Sequence, residues 1–180
     1  HKSEEELMQL KAAGLDMVYM GIESGDPQVL KDVKKGVTRE EMIEAGRKLK
    51  RCGILCSATL ISGLGGRQRL REHAIASASL ISAIKPDYVG FLTLMIDPQA
   101  PVYSKIVSGE LELLNPEDVV EEMKLFLQNV DSEGTVFRSN HASNYVILKG
   151  TLNEDISSML AYLRQVEEQG KYREERWRRF

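Results

Sequence analysis

The chain has 180 residues, of which 42% are hydrophobic and 28% are charged, and its formal net charge is -3. This length suits a single domain with a core of useful size. The slightly acidic balance provides no global basic field, so a nucleic-acid partner is not expected. The sequence also lacks a secretion signal and the roughly 20 consecutive apolar residues of a membrane span, which predicts a cytoplasmic protein without a membrane partner.

Helix starts are clearly marked along the chain. Ser3 and Thr38 each open a capping box, with a glutamate three residues later. Asn115 precedes a proline at the first helical position, and Asn153 is placed to cap the last helix. Apolar residues at helical spacing predict a further helix over residues 67–85.

Short apolar runs separate these helices, at residues 17–22, 54–61, 88–96 and 135–137. They are mostly continuous rather than alternating, which predicts strands that are buried on both faces. The repeated helix–strand order predicts an α/β fold with a mostly parallel sheet and right-handed crossovers. Periodicity leaves open whether the sheet is an open layer or part of a barrel.

Functional groups of parallel α/β folds lie at the carboxyl ends of the strands. Glu23 directly follows the first strand, where it is placed either to bind a ligand or to cap the next helix. The glycine-rich loop 63–67 is interpreted as an anion cradle, a flat surface for an adenine or a plain tight turn. Asp97 is predicted to start an Asp-Pro turn, and the loop onward to Asn115 is long, as functional lids often are.

The densest polar cluster of the sequence follows the fourth strand, at residues 138–145. His141 is a candidate general acid or base, and Asn140, His141 and Asn144 are candidates for the substrate side of a site. No second His or Cys stands at ligand spacing beside His141, so no metal site is expected. A structural role, in which these side chains satisfy the loop backbone, is an equal alternative.

Three further features of the sequence are interpreted as structural. Cys52 and Cys56 lie at the junction of a helix and a strand, and we expect both to be buried as small apolar residues. His1 and His73 are isolated and are expected to face solvent. The tail 171–180 is locally basic, which indicates a solvated helix end more than a contact for RNA or a partner.

Part of the sequence resembles the radical S-adenosylmethionine (SAM) enzymes. Residues 18–27 read VYMGIESGDP and are similar to the fourth strand of that family and the start of the following helix. The likeness continues through 49–54 to LISGL at 60–64, which resembles the fifth strand that flanks the adenine. SNHASN at 139–144 resembles a segment of iron–sulfur oxidoreductases in the branch with coproporphyrinogen-oxidase-like members.

The resemblance implies a partial (β/α) barrel of which this chain forms the second half, with residues 1–170 in the barrel and 171–180 as a charged tail. In the family, a Cys-x3-Cys-x2-Cys loop holds a [4Fe–4S] cluster, and SAM bound to that cluster gives a 5′-deoxyadenosyl radical. The cofactor-binding residues that the resemblance implies are Glu23, Ser24, Ile61, Gly63 and Leu94.

The sequence departs from the family pattern in two places. Cys52 and Cys56 have Cys-x3-Cys spacing, but Thr59 stands where the third cysteine would be, so this chain is not expected to hold the cluster. Arg67 occupies a position where relatives commonly have a carboxylate. We therefore expect a fragment of a radical SAM iron–sulfur oxidoreductase that is inactive alone.

Two other functions are compatible with the same residues. A non-catalytic α/β domain that binds a ligand or partner would keep the same shape. The chain could also belong to a tRNA-modifying radical SAM enzyme, in which the basic tail would contact RNA. The sequence does not identify the substrate. A small molecule is expected, and the class of substrate stays unknown. A truncated barrel also exposes a sheet edge, which predicts self-association.

Overall fold

Within residues 2–179, which the computed structural model describes, the chain forms seven α-helices and five β-strands. The helices are α1 (Glu4–Ala12), α2 (Pro27–Asp32), α3 (Arg39–Arg51), α4 (Leu70–Ile84), α5 (Tyr103–Val107), α6 (Pro116–Asn129) and α7 (Ile156–Gln169). The strands are β1 (Met17–Glu23), β2 (Leu55–Ser62), β3 (Tyr88–Thr93), β4 (Val136–Arg138) and β5 (Lys149–Thr151). Two 3₁₀ turns span Arg67–Arg69 and Glu175–Trp177.

The five strands form one sheet in chain order, β1-β2-β3-β4-β5. The first four strands are parallel, and β5 pairs with β4 in the antiparallel direction. The prediction of a mostly parallel α/β fold is therefore confirmed, while the three-residue β5 was not predicted. The strand order never reverses, as it would in a doubly wound sheet, so the chain has the topology of consecutive barrel units.

The helices cover one face of this sheet. In β2, Cys56, Ala58 and Leu60 are buried, whereas Leu55 on the opposite face is exposed. Tyr19 on β1 is 78% exposed. The prediction that the strands are buried on both faces is thus wrong within this chain. Consecutive right-handed crossovers place every connecting helix on the same side, so the other face receives no cover.

Most of the predicted helix starts are present. The capping boxes at Ser3 and Thr38 both form, and Asn115 caps α6. The last helix differs, because it begins after Asp155, and Asn153 does not cap it. The Asn153 side chain instead accepts a hydrogen bond from the Ser132 amide (3.0 Å) and donates to Asp131 (2.7 Å), which ties it to another loop.

The main core lies between the sheet and α4, α6 and α7. Phe91, Phe126 and Phe137 meet there with ring centroids 4.9 to 6.0 Å apart. This packing fixes the carboxyl ends of β3 and β4 relative to α6. No helix within residues 2–179 is both long and apolar enough to cross a bilayer.

Candidate functional site

A cavity of about 360 Å³ opens at the carboxyl ends of β2 and β3. Its polar lining comes from Ser62, Thr93, Tyr145, Glu175 and Arg178. Its volume falls within the range of roughly 300–1,000 Å³ that is usual for small-molecule sites, and its place in the sheet is where parallel α/β proteins bind ligands. The apolar lining is formed mainly by Leu94, Met95, Ile96, Ile106, Leu113 and Leu114.

The predicted glycine-rich loop forms one edge of this cavity. Gly63 has a φ of 82°, in the left-handed region that favours glycine. Its amide donates a hydrogen bond to Oε2 of Glu122 (2.9 Å), and the Ser62 hydroxyl donates to the same oxygen (2.5 Å). The amide is therefore already satisfied, which weighs against the anion cradle among the three interpretations of this loop.

A buried polar network lies behind the loop. His73 Nδ1 is 2.8 Å from Oε1 of Glu122, and both side chains are only 1% exposed. The expectation that His73 faces solvent is wrong, because α4 buries this face and Glu122 on α6 supplies a polar partner. His73 Nε2 is the one buried side-chain nitrogen or oxygen in residues 2–179 without a hydrogen bond. His1 lies outside the described residues.

Glu23 stands at the end of β1 in an unusual backbone conformation. Its φ is 66°, and the β1–β2 pairing is irregular between Gly21 and Glu23. The carboxylate folds back over Gly21 and accepts from Lys35 Nζ at 3.2 Å. Asp26, and not Glu23, caps the next helix, so the capping alternative is wrong. A non-glycine residue held at positive φ often marks a functional position.

The remaining cofactor-binding candidates divide between two places. Leu94 lines the cavity together with Gly63, whereas Glu23, Ser24 and Ile61 lie outside its lining. Ser24 is fully buried, and its hydroxyl accepts from the Asp26 amide at 2.9 Å. The structure thus brings two of the five candidates together at the cavity. Glu23 and Ser24 lie at the carboxyl end of β1, which is the strand next to β2.

The polar segment after β4 ties the chain to the end of β3. Asn144 is buried, its amide donates to Phe91 O (2.7 Å), and its oxygen accepts from the Thr93 hydroxyl (2.9 Å). Asn140 and His141 are exposed, and His141 Nδ1 is 2.9 Å from the Ser143 hydroxyl. None of the three substrate-side candidates lines the cavity. These contacts favour the structural alternative for Asn144.

The structure explains two other loop residues. Arg67 forms ion pairs with Asp118 (2.5 Å) and Glu112 (2.7 Å), so it fastens the turn before α4 to the first turn of α6. Asp97 accepts a hydrogen bond from the Gln99 amide at 2.8 Å, which confirms the predicted turn. Both contacts hold the loops around the cavity.

The sequence interpretation missed the contribution of the C-terminal tail. The segment after α7 does not continue the helix, and the Arg178 side chain is only 5% exposed against the cavity wall. The expectation of a solvated helix end is therefore wrong for this residue. No local pattern marks Arg178, because alternating Arg and Glu residues are also typical of a solvent-exposed surface.

The two cysteines lie at the opposite end of β2 from the cavity. Cys52 and Cys56 are buried, as predicted. Burial, helped by the charge of Asp87, raises the pKa of the Cys56 thiol to about 11. Within residues 2–179 no group of three or more His, Cys, Asp or Glu side chains is arranged to hold a metal ion. The chain's own donor set therefore does not fit a [4Fe–4S] cluster, which needs thiolate ligands.

We expect Cys56 to be nearly inert in the folded chain. At pH 8 about a thousandth of this thiol is ionised, and the thiolate is the reactive species. Titration with Ellman's reagent should therefore show reaction at least about a hundredfold slower than in the urea-unfolded chain. A native Cys52→Ser variant that reacts at the unfolded rate would contradict the buried position of Cys56.

The model of the radical SAM superfamily matches residues 1–75. An uncharacterized methyltransferase of Pyrococcus horikoshii is 27% identical over 104 residues, which are 58% of this chain and 22% of the relative. A putative methylthiotransferase of Methanocaldococcus jannaschii is 40% identical over 58 residues, 32% of this chain and 13% of the relative. The chain thus matches less than a quarter of the length of these relatives.

Two solved structures share the fold. The archaeal Elp3 of Methanocaldococcus infernus with an N-terminal deletion superposes with a TM-score of 0.64 at 22% identity, covering 94% of this chain and 40% of that chain. Methylornithine synthase superposes with a TM-score of 0.54 at 16% identity, covering 92% of this chain and 55% of that chain. At these identities the superpositions establish the fold alone.

Proposed function

We propose, from the match of residues 1–75 to the model of the radical SAM superfamily, that this chain belongs to that superfamily and forms part of the SAM site and the substrate side of an iron–sulfur enzyme. The observation that carries the proposal is the cavity of about 360 Å³ at the carboxyl ends of β2 and β3. Gly63 and Leu94 line it. Gly63 belongs to the segment that resembles the strand flanking the adenine, and Leu94 is a cofactor-binding residue that the resemblance implies.

The residues present suit the organic part of SAM. Apolar side chains such as Leu94 and Leu114 line the cavity and offer an apolar surface for an adenine. A Cβ at position 63 would make only an ordinary contact with the Leu114 side chain, at 3.4 Å, and the φ of 82° is what favours glycine at this edge of the cavity. Glu23, on the neighbouring strand, offers a carboxylate that can accept hydrogen bonds from ribose hydroxyls or an ammonium group.

The cluster is proposed to be held by residues outside this chain. The two cysteines are buried at the wrong end of β2, and the described residues contain no other metal-binding group. SAM bound to a [4Fe–4S] cluster supplies the means to abstract a hydrogen atom from a substrate. This chain would orient SAM and exclude water, and alone it would be inactive.

The reaction class is proposed as oxidoreduction, with group transfer as a second candidate. The second candidate is favoured by the names of the two matched relatives, a methyltransferase and a methylthiotransferase. The tail lends little support to an RNA substrate, because Arg176 pairs with Glu174 and Arg178 with Glu175. A non-catalytic binding domain would use the same cavity, and SAM binding separates it from an enzyme.

We expect calorimetric titration of S-adenosylhomocysteine, a stable SAM analogue, to show binding to the chain. Glu23→Ala should raise the dissociation constant by at least about tenfold, because it removes a charged acceptor. Leu94→Asp should abolish binding by placing a charge in the apolar wall. Glu133→Ala, which removes an exposed carboxylate, is the matched control and should change nothing.

Unchanged binding in both Glu23→Ala and Leu94→Asp would place the cofactor elsewhere. If the chain alone binds no analogue, the same variants are compared in the full-length protein with its cluster reconstituted. Absence of binding there as well would overturn the proposal.

A further inference from the structure

The cavity contains a buried positive charge that the SAM proposal does not use. The guanidinium of arginine is a permanent positive charge in proteins, and the side chain of Arg178 is only 5% exposed. A buried charge is tolerated in a protein only when it is paired and hydrogen-bonded. What pairs with Arg178 therefore indicates what this part of the cavity accepts.

Neutral groups hold most of the Arg178 guanidinium in place. Its Nε donates to Ser143 O at 2.6 Å, and Nη2 donates to Leu94 O at 3.2 Å. The guanidinium carbon lies 3.9 Å from the centre of the Tyr145 ring, and Nη1 donates to the Tyr145 hydroxyl. These contacts fix the orientation of Nη1 but supply no negative charge.

The negative charge comes from Glu175. Both of its carboxylate oxygens lie 2.8 Å from Arg178 Nη1, and the Tyr145 hydroxyl donates to Oε2 at 2.8 Å. Burial raises the pKa of the Glu175 carboxyl, but hydrogen bonds from Arg178 and Tyr145 outweigh it and hold the pKa below its usual value. Burial, helped by Glu175, raises the pKa of Tyr145 to about 12, so the phenol remains a donor at neutral pH.

Glu175 is bound less firmly than its partner. Its side chain is 69% exposed and sits in a single 3₁₀ turn, so the carboxylate can turn into water and be solvated there, provided that another negative charge takes its place beside Arg178. Arg178 has no such route, because its guanidinium is enclosed by the cavity wall. Another carboxylate that replaced Glu175 would keep the buried charge paired.

We infer that Arg178 and Tyr145 form a carboxylate-binding site, which Glu175 fills when no ligand is present. The ligand is a substrate that carries a carboxylate on an apolar body, because Met95 and Ile96 line the adjoining wall. The inference rests on the proposed function in one respect, that the cavity belongs to the substrate side of an active site.

Glu175→Ala empties this site and allows a direct test with hexanoate. Hexanoate is titrated into the whole chain in a calorimeter, without SAM. It should bind the variant at least about tenfold more tightly than the unmodified chain. Hexanamide, which has the same apolar body without the charge, should gain nothing. Glu174→Ala is the matched control, because it removes a neighbouring carboxylate that contacts Arg176 and not Arg178.

A second substitution keeps the test decisive. Glu175→Ala combined with Arg178→Met should lose the gain, with folding monitored by circular dichroism. If Glu175→Ala does not fold, Glu175→Gln removes the competing charge with less change of shape and should show a gain in the same direction. Equal gains for hexanoate and hexanamide, or a gain in Glu174→Ala, would overturn the inference.

The source of the carboxylate is settled by a further comparison. S-adenosylhomocysteine carries an amino-acid carboxylate, whereas 5′-methylthioadenosine does not. Arg178→Met should weaken the binding of the two nucleosides equally, if at all. Selective weakening of S-adenosylhomocysteine would assign the site to the cofactor and overturn the inference of a substrate site. Because hexanoate binding needs no SAM, its failure is distinguishable from failure of the SAM proposal.

Discussion

Glu122→Ala is expected to lower the free energy of unfolding by about 3–5 kcal/mol, because it removes one partner of a fully buried polar network. The Glu122 carboxylate accepts hydrogen bonds from Ser62 and Gly63 and contacts His73. Alanine would leave all three groups buried without that partner. Urea denaturation followed by circular dichroism measures the loss.

Two further variants separate charge from packing. Glu122→Gln should cost less, about 1–2 kcal/mol, because the amide keeps the shape and His73 can change tautomer to accept from it. Glu121→Ala, at a neighbouring position where the side chain is 49% exposed, should change stability by less than about 0.5 kcal/mol. A Glu122→Ala variant as stable as Glu121→Ala would show that the network does not form.

Gly25→Ala is expected to destabilise the chain by about 1–3 kcal/mol through overpacking. A Cβ at this position would lie 2.6 Å from Ser77 Cα and overlap the Ala76 carbonyl. These are backbone atoms of α4, so no side chain can rotate away and the helix itself would have to move. The Gly25 amide also donates to the Ser77 hydroxyl at 2.9 Å, so the same shift would strain that bond.

Gly90→Ala serves as the comparison for this substitution. Gly90 lies within β3, and the nearest atom to a Cβ added there would be Ala58 O, at 3.9 Å. Alanine there should be neutral or slightly stabilising, since glycine weakens a strand. The melting temperature should thus fall in Gly25→Ala, by roughly 2–4 °C per kcal/mol, and stay the same or rise slightly in Gly90→Ala. Equal melting temperatures would contradict the close packing of the β1–α2 loop on α4.

The sequence predicted local structure well because the signals are local. The capping boxes at Ser3 and Thr38 need only residues three positions apart, and both form. The prediction that Asn153 caps the last helix was wrong because its side chain forms hydrogen bonds with Asp131 and Ser132, more than twenty positions away in the chain. A local sequence pattern does not include these distant hydrogen-bond partners, so it cannot show that they compete with the helix for the Asn153 side chain.

The site shows the same division. Gly63 and Leu94 were named because of the resemblance to the radical SAM family, and both line the cavity. His73 was misplaced because its partner, Glu122, is 49 residues away on another helix. Arg178 was missed because the tail returns to the end of β3, which is 84 positions away at Leu94. The cofactor-binding roles of Glu23, Ser24, Ile61, Gly63 and Leu94 all stay predictions.

The two edges of the sheet are not equivalent. β5 is three residues long, runs antiparallel and begins with Lys149, features that discourage the addition of another strand. β1 is seven residues long, and Tyr19 stands out from it into solvent. A strand that joined this sheet, from the parent protein or from a second copy, would therefore be seated beside β1 and next to Glu23. If Glu23 contacts SAM as proposed, a strand added at this edge would change the surroundings of that carboxylate.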